Sequence, residues 1–205
     1  MKPALLVIAG PNGSGKTTIT AHLRAEKWSE GVEYLNPDDV AMDRFGDWNS
    51  DIAIIQAAEW VTRRREELLA RDAGIAFETV FSTAEKLSFV ERAKSAGYFV
   101  RLFYIGTSSP TINAARVARR MLEGGHKVPI EKIISRYTRS MANLEAVIPL
   151  ADRVYIYDNS IEDVFARLVA RTQDGVLRKV YGAIPTWVGD AIAGLARHPD
   201  FIDLR

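Results

Sequence analysis

Residues 4–9, Ala-Leu-Leu-Val-Ile-Ala, form an unbroken apolar run. That is the pattern of a parallel β-strand covered on both faces. Further largely apolar stretches recur at residues 32–35, 75–77, 98–105 and 153–157. Between them the polarity shifts to helical spacing. Residues 17–24 read as one helix and about 52–70 as another, with Ile52, Ile55, Ala58 and Trp60 or Val61 inward and Arg63-Arg64-Arg65-Glu66-Glu67 solvated. Ser82-Thr83-Ala84-Glu85 has the form of a capping box for a helix to about residue 96. Ser109-Pro110 opens a further helix that Gly124-Gly125 ends, and another spans about 130–146. Ser160 reads as the cap of a helix reaching about residue 172. Beyond Gly175 the pattern gives a short edge strand and then a helix after Pro185.

Alternating strands and helices predict an α/β fold: a five- to six-stranded parallel sheet sandwiched by helices, as a single domain over residues 1–205. Within it, about 109–146 is read as a helical lid and about 175–205 as a C-terminal appendage. Composition changes little. The chain has 205 residues, 47% apolar and 26% charged, with net charge +1, so no global attraction to nucleic acid or membrane is expected. It contains no cysteine, and its N-terminus lacks a signal-peptide cleavage region; a cytoplasmic location is the expectation.

The chemistry is concentrated after the first apolar run. Gly10-Pro11-Asn12-Gly13-Ser14-Gly15-Lys16-Thr17 fits G-x-x-x-x-G-K-[ST], the phosphate-binding loop of P-loop NTPase folds, and it sits between a predicted strand and a predicted helix. Its glycines let backbone N–H groups and the helix N-terminus face a phosphate, with Thr18 next in line. Lys16 can reach the β- and γ-phosphates of ATP, and the Thr17 hydroxyl can ligate Mg²⁺.

Other polar residues fall at the same strand ends, where α/β sheets bind ligands. Asn36-Pro37-Asp38-Asp39 reads as a turn with two carboxylates. Asp38 is the candidate base, and Asp39 the candidate helix cap or a supporting group for the metal. Glu78 follows an apolar strand and is placed to serve Mg²⁺ or to accept hydrogen bonds from substrate hydroxyls. Asp158-Asn159-Ser160 ends the last parallel strand, near where a base would lie. Residues 101–140 hold eight Lys and Arg against two acids. Arg116, Arg119 and Arg120 share one helical face, and Lys132, Arg136 and Arg139 another. Two basic faces joined by a glycine hinge predict a lid that closes over phosphates.

Together, the P-loop, Asn36-Pro37-Asp38-Asp39-Val40-Ala41, Phe77-Glu78-Thr79, the Arg-rich helix with Gly124-Gly125-His126-Lys127-Val128-Pro129, Arg136-Tyr137 and Tyr157-Asp158-Asn159-Ser160 resemble the zeta toxin family of P-loop kinases, in its short stand-alone form. The resemblance implies transfer of the ATP γ-phosphoryl group to the sugar 3′-hydroxyl of UDP-N-acetylglucosamine, with ATP and Mg²⁺ as cofactors and an antitoxin protein as a partner. It implies Asp38 as the catalytic aspartate, Glu78 and Thr79 at the substrate, and Arg119 or Arg120 as one lid arginine. Arg136 and His126 compete for the second lid position. Larger toxins carry Glu-Gly-Thr where this chain has Glu78-Thr79-Val80. A kinase for a nucleoside, nucleotide or antibiotic is the alternative. A GTPase lacks its Asn-Lys-x-Asp motif here.

Overall fold

The computed structural model describes residues 2–24, 26, 30–46, 50–123 and 128–205. The chain runs β1 (Ala4–Ala9), α1 (Lys16–Leu23), β2 (Val32–Leu35), α2 (Pro37–Phe45), α3 (Asp51–Leu69), β3 (Gly74–Thr79) and α4 (Ala84–Ser95). It continues through β4 (Phe99–Gly106), α5 (Pro110–Leu122), α6 (Ile130–Val147), β5 (Arg153–Asp158), β6 (Arg167–Gln173), β7 (Val176–Val180), α7 (Thr186–Ile192) and β8 (Arg197–Asp203).

The strands form one sheet in the order β2-β3-β1-β4-β5-β6-β7-β8. The first five are parallel. Strand β1 lies inside, between β3 and β4, and its apolar run is split by the two-residue period of a strand. Leu5, Val7 and Ala9 join the larger core with Phe77, Leu102, Tyr104 and Val154. Ile8 faces the other way, onto Ile19, Phe103 and Ile105. Covering both faces removes each of these side chains from water, worth about 1.5–3 kcal/mol for a Leu, Ile or Val.

Four local readings are corrected. The sheet has eight strands, because residues 167–173 form strand β6 and not a helix capped by Ser160. The deciding signal is Asp174-Gly175, both at positive φ. Such a pair makes the tight hairpin that pairs β6 antiparallel with β7, Gln173 opposite Val176. Strands β7 and β8 then extend the same sheet with residues that were read as an appendage. Second, Asn36-Pro37-Asp38-Asp39 starts a helix: the Asn36 side chain accepts from Asp38 N–H at 3.0 Å with Pro37 in the first turn, so the cap is Asn36 and not Asp39. Third, α4 begins at Ala84 without a side-chain cap bond, and Glu85 turns to Arg65 and Lys86 instead of closing a capping box. Fourth, α3 does not present the expected faces: Ile52, Ile55 and Ala58 are exposed, and of the three arginines only Arg63 is solvated. Arg64 grips both Glu33 oxygens at 2.7 and 2.8 Å, and the Arg65 side chain is only 1% exposed.

Candidate active site

The P-loop is built on close backbone approaches. Gly10 has φ +145°, and a Cβ there would strike the Ile105 carbonyl oxygen. Gly15, at φ +93°, leads into α1 and leaves room for the side-chain amide of Asn159. That amide donates from Nδ2 to the Ser14 carbonyl at 2.8 Å. On the other flank, Asn113 on α5 donates from Nδ2 to the Asn12 carbonyl at 2.5 Å, and its Oδ1 accepts from Thr107 Oγ1. Carbonyl oxygens that would repel an anion are thereby tied to amide donors.

Lys16 opens α1, and its Nζ donates to the Gly10 and Pro11 carbonyls at 2.9 Å each. Burial pulls its pKa down to about 8, with Arg120 pushing the same way and the Glu78 and Asp38 carboxylates opposing. The fully buried Ser14 has a hydroxyl oxygen without a hydrogen-bond partner among the described residues. A partly desolvated cation and glycine-turned backbone at a helix N-terminus are a set that a phosphate completes, so the loop fits a nucleotide triphosphate. Thr17 is exposed beside it. Among the described residues no group of three or more His, Asp or Glu is placed to hold a metal. A Mg²⁺ ion here would rest on the Thr17 hydroxyl and substrate phosphates, its usual mode in kinases.

A cleft of about 1100 Å³ opens over the loop. Gly13, Gly15, Lys16, Thr17 and Thr18 line it with Asp38, Glu78, Thr79, Arg119, Arg120 and Arg136. Asp38 is exposed in the first turn of α2 and reaches the cleft; Asp39 does not line it. Partial burial, then the neighbouring Asp38 and Glu78, push the Asp39 carboxyl above its ordinary pKa. Glu78 Oε1 accepts from Tyr34 Oη–H at 2.8 Å, which fixes its carboxylate at the β3 exit. Burial and that carboxylate raise the Tyr34 pKa, so the phenol stays a donor. Thr79 Oγ1 accepts from Phe81 N–H at 3.0 Å, which leaves its own hydrogen for a ligand.

The basic helices meet the loop but divide in use. Arg116 donates to the Asn159 and Ile161 carbonyls at 2.8 and 3.2 Å, and Arg119 pairs with Glu162. Arg120 and Arg136 line the cleft without an ion pair among the described residues. His126 lies outside the described residues.

Sequence reasoning missed two features. Asn113 is buried in the first turn of α5, a position without a motif signal; its packing against Gly13 reveals it. The second is the structural use of Asp158-Asn159-Ser160, which the sequence suggests only as lying near a base: Asn159 holds the P-loop and lines the cleft, while Asp158 Oδ1 accepts from Trp187 Nε1 at 3.0 Å and from Ser160 Oγ at 2.5 Å. Trp187 stacks over Gly106, where no Cβ would fit.

A sequence model of a family described as Zeta toxin matches residues 1–167. An uncharacterized protein of Haemophilus influenzae is 28% identical over 137 residues, 67% of this chain and 94% of that protein. Among solved structures, the AvrRxo1-ORF1:AvrRxo1-ORF2 complex with sulphate ions superposes with TM-score 0.67 at 20% identity, over 95% of this chain and 65% of that one. The same complex with ATP gives TM-score 0.65 at 18% identity, over 97% and 66%. This chain therefore spans just under two thirds of that chain's length. The PezAT chromosomal toxin-antitoxin system of Streptococcus pneumoniae gives TM-score 0.63 at 15% identity, over 97% of this chain and 82% of that one.

Proposed function

We propose, from the premise that the chain belongs to the zeta toxin family, that it is an ATP-dependent kinase whose acceptor is a sugar hydroxyl of UDP-N-acetylglucosamine. The observation that carries the reading is convergence. Lys16 and Thr17, the Asp38 and Glu78 carboxylates, and the Arg120 and Arg136 guanidinium groups line one cleft, although they come from five separate elements.

Each group has a distinct task. The P-loop backbone and Lys16 hold the β- and γ-phosphates, which neutralises the half-buried Lys16 cation. Bound with Mg²⁺, ATP supplies the transferable phosphoryl group. Asp38, across the cleft, accepts the proton of the attacking hydroxyl. Glu78, held by Tyr34, accepts hydrogen bonds from sugar hydroxyls and so orients the acceptor. Arg120 and Arg136, together with Arg119 once it leaves Glu162, stabilise charge on the transferring phosphoryl group. His126 is a further candidate at the acceptor. Closure of α5 and α6 over the cleft would exclude water and limit idle ATP hydrolysis.

A protein antitoxin is the partner that fits the family, and the related AvrRxo1 and PezAT proteins were solved as complexes or described as toxin-antitoxin systems. No described helix is long and apolar enough to cross a membrane. The test is to incubate the protein with ATP·Mg and separate acceptors and to read one added phosphate by mass spectrometry, with Lys16→Ala as the blank. A phosphorylated UDP-N-acetylglucosamine is expected. A phosphorylated nucleoside, nucleotide or antibiotic in its place would move the assignment to that acceptor, and ATP hydrolysis indifferent to every acceptor would remove the kinase reading.

A further inference from the structure

The cleft has a second end. Away from the P-loop its wall is formed by α3, the β3 exit and the start of α4: Ile54, Ala58, Val61, Phe81, and three charged groups, Arg65, Glu85 and Lys86. The Arg65 guanidinium lies over the rings of Phe77 and Phe89, 4.8 and 4.9 Å from their centroids. Its Nη2 donates to Glu85 Oε1 at 3.0 Å, and at 3.4 Å to Thr62 Oγ1. Its Nε and Nη1 are buried without a partner among the described residues. Lys86 Nζ takes the other Glu85 oxygen at 2.6 Å.

One carboxylate is therefore shared by two cations, and the trio carries a surplus positive charge. The next nearby acid, Glu66, is already held by Arg92 through two bonds of 2.7 Å and does not offset it. A purely structural ion pair needs one cation and one anion. A second cation forced into the same wall costs desolvation and repulsion. Burial and the neighbouring Arg65 hold the Lys86 ammonium below its ordinary pKa, while burial does the same for Arg65. The surplus faces a cleft that Arg136 and Arg139 line from the α6 side. Lys86 is the more accessible of the pair, with 23% of its side chain exposed, and its ammonium keeps donors beyond the one given to Glu85.

We propose that Arg65, Glu85 and Lys86 form an anion subsite for the acceptor, so that the acceptor carries a phosphate or diphosphate group separate from the hydroxyl that receives the phosphoryl. Lys86 contacts that group. Arg65 is a positioning residue: it fixes Glu85, which aims Lys86, and adds its buried charge. This deepens the kinase reading of the cleft and rests on it.

The test is equilibrium binding to the whole chain by calorimetry, with the P-loop first saturated by a non-hydrolysable ATP analogue and Mg²⁺. UDP, pyrophosphate and uridine are the probes. Wild type is expected to bind UDP at least tenfold more tightly than uridine. Lys86→Gln should remove that difference and leave binding of the ATP analogue unchanged, and Lys86→Arg should restore it. Arg65→Met should weaken UDP and not uridine; a melting curve checks that it folds, and Lys86→Gln decides if it does not. UDP bound no better than uridine, no binding of UDP or pyrophosphate, or UDP affinity indifferent to Lys86→Gln would each overturn the subsite while the kinase reading stands. Failure of the ATP analogue to bind would remove both.

Discussion

The two ends of the cleft are built from different materials. The donor end is backbone. Glycines let the loop curl, Lys16 is the main side-chain cation, and the asparagines Asn113 and Asn159 each occupy a loop carbonyl. The acceptor end is side chains from α2, α3, β3 and α4, with carboxylates and cations in one wall. A triphosphate presents the same shape to every enzyme that binds it, and a loop of fixed spacing can meet it. An acceptor differs from enzyme to enzyme, so its site is written in scattered residues that only the fold brings together.

The largest effect that would break this division is on Asp38. Asp38→Asn should lower kcat on the order of 10²–10⁴-fold, the usual loss for a general base, while calorimetry shows ATP binding intact. Asp39→Asn should stay within a few-fold of wild type; a crippled Asp39 variant beside an active Asp38 variant would swap the two roles. Next come the bridging arginines. Arg120→Ala and Arg136→Ala are each expected to cost about 10²–10³-fold in kcat, with a much smaller change in ATP affinity, as for lost transition-state donors. Equal losses in both measurements would make them ground-state phosphate clamps.

Asn159→Ala sharpens the donor side. It leaves the Ser14 carbonyl unpartnered, a cost of about 1–3 kcal/mol. The KM for ATP should rise roughly 5–150-fold by the same figure, with the acceptor KM unchanged. The smallest effect is set by pH. The folded, ligand-free protein releases the Lys16 proton near pH 8, while the unfolded chain keeps it to the ordinary lysine value of 10.5. Between those values the unfolded state binds more protons, so this group's contribution to stability rises with pH across that window. ATP affinity runs the opposite way. It should be level below pH 8 and fall by up to about tenfold per unit above it, read by calorimetry at pH 7, 8 and 9. A flat profile would mean the Lys16 cation is not what the triphosphate meets.

The same contrast explains what the sequence disclosed. Strands β1, β3 and β4 were legible because their central residues are buried in succession and so read as apolar runs, whereas β2 and β5 are only partly buried. The P-loop was legible because its glycines sit where only glycine fits. The cleft position of Asp38 and Glu78 followed from their standing just after or at the end of a strand. Arg65 was misread because a run of three arginines looks solvated, and nothing in the run says that the third turns inward onto Phe77 and Phe89. The hairpin at Asp174-Gly175 was present in the sequence as a turn signal, but the short run before it fits a helix as well as a strand.

The position of β1 also orders events in time. The sequence of the P-loop is complete by Thr17. Its strand, however, pairs with residues 75–79 and 99–104, and its carbonyl at Ser14 waits for Asn159. Pairings this distant in sequence form late and slowly, because long loops must close first. The hairpin of β6 and β7, closed by two residues, needs no such wait. The loop's sequence thus precedes in the chain the partners that shape it, and the loop takes its form only when Asn159 is in place.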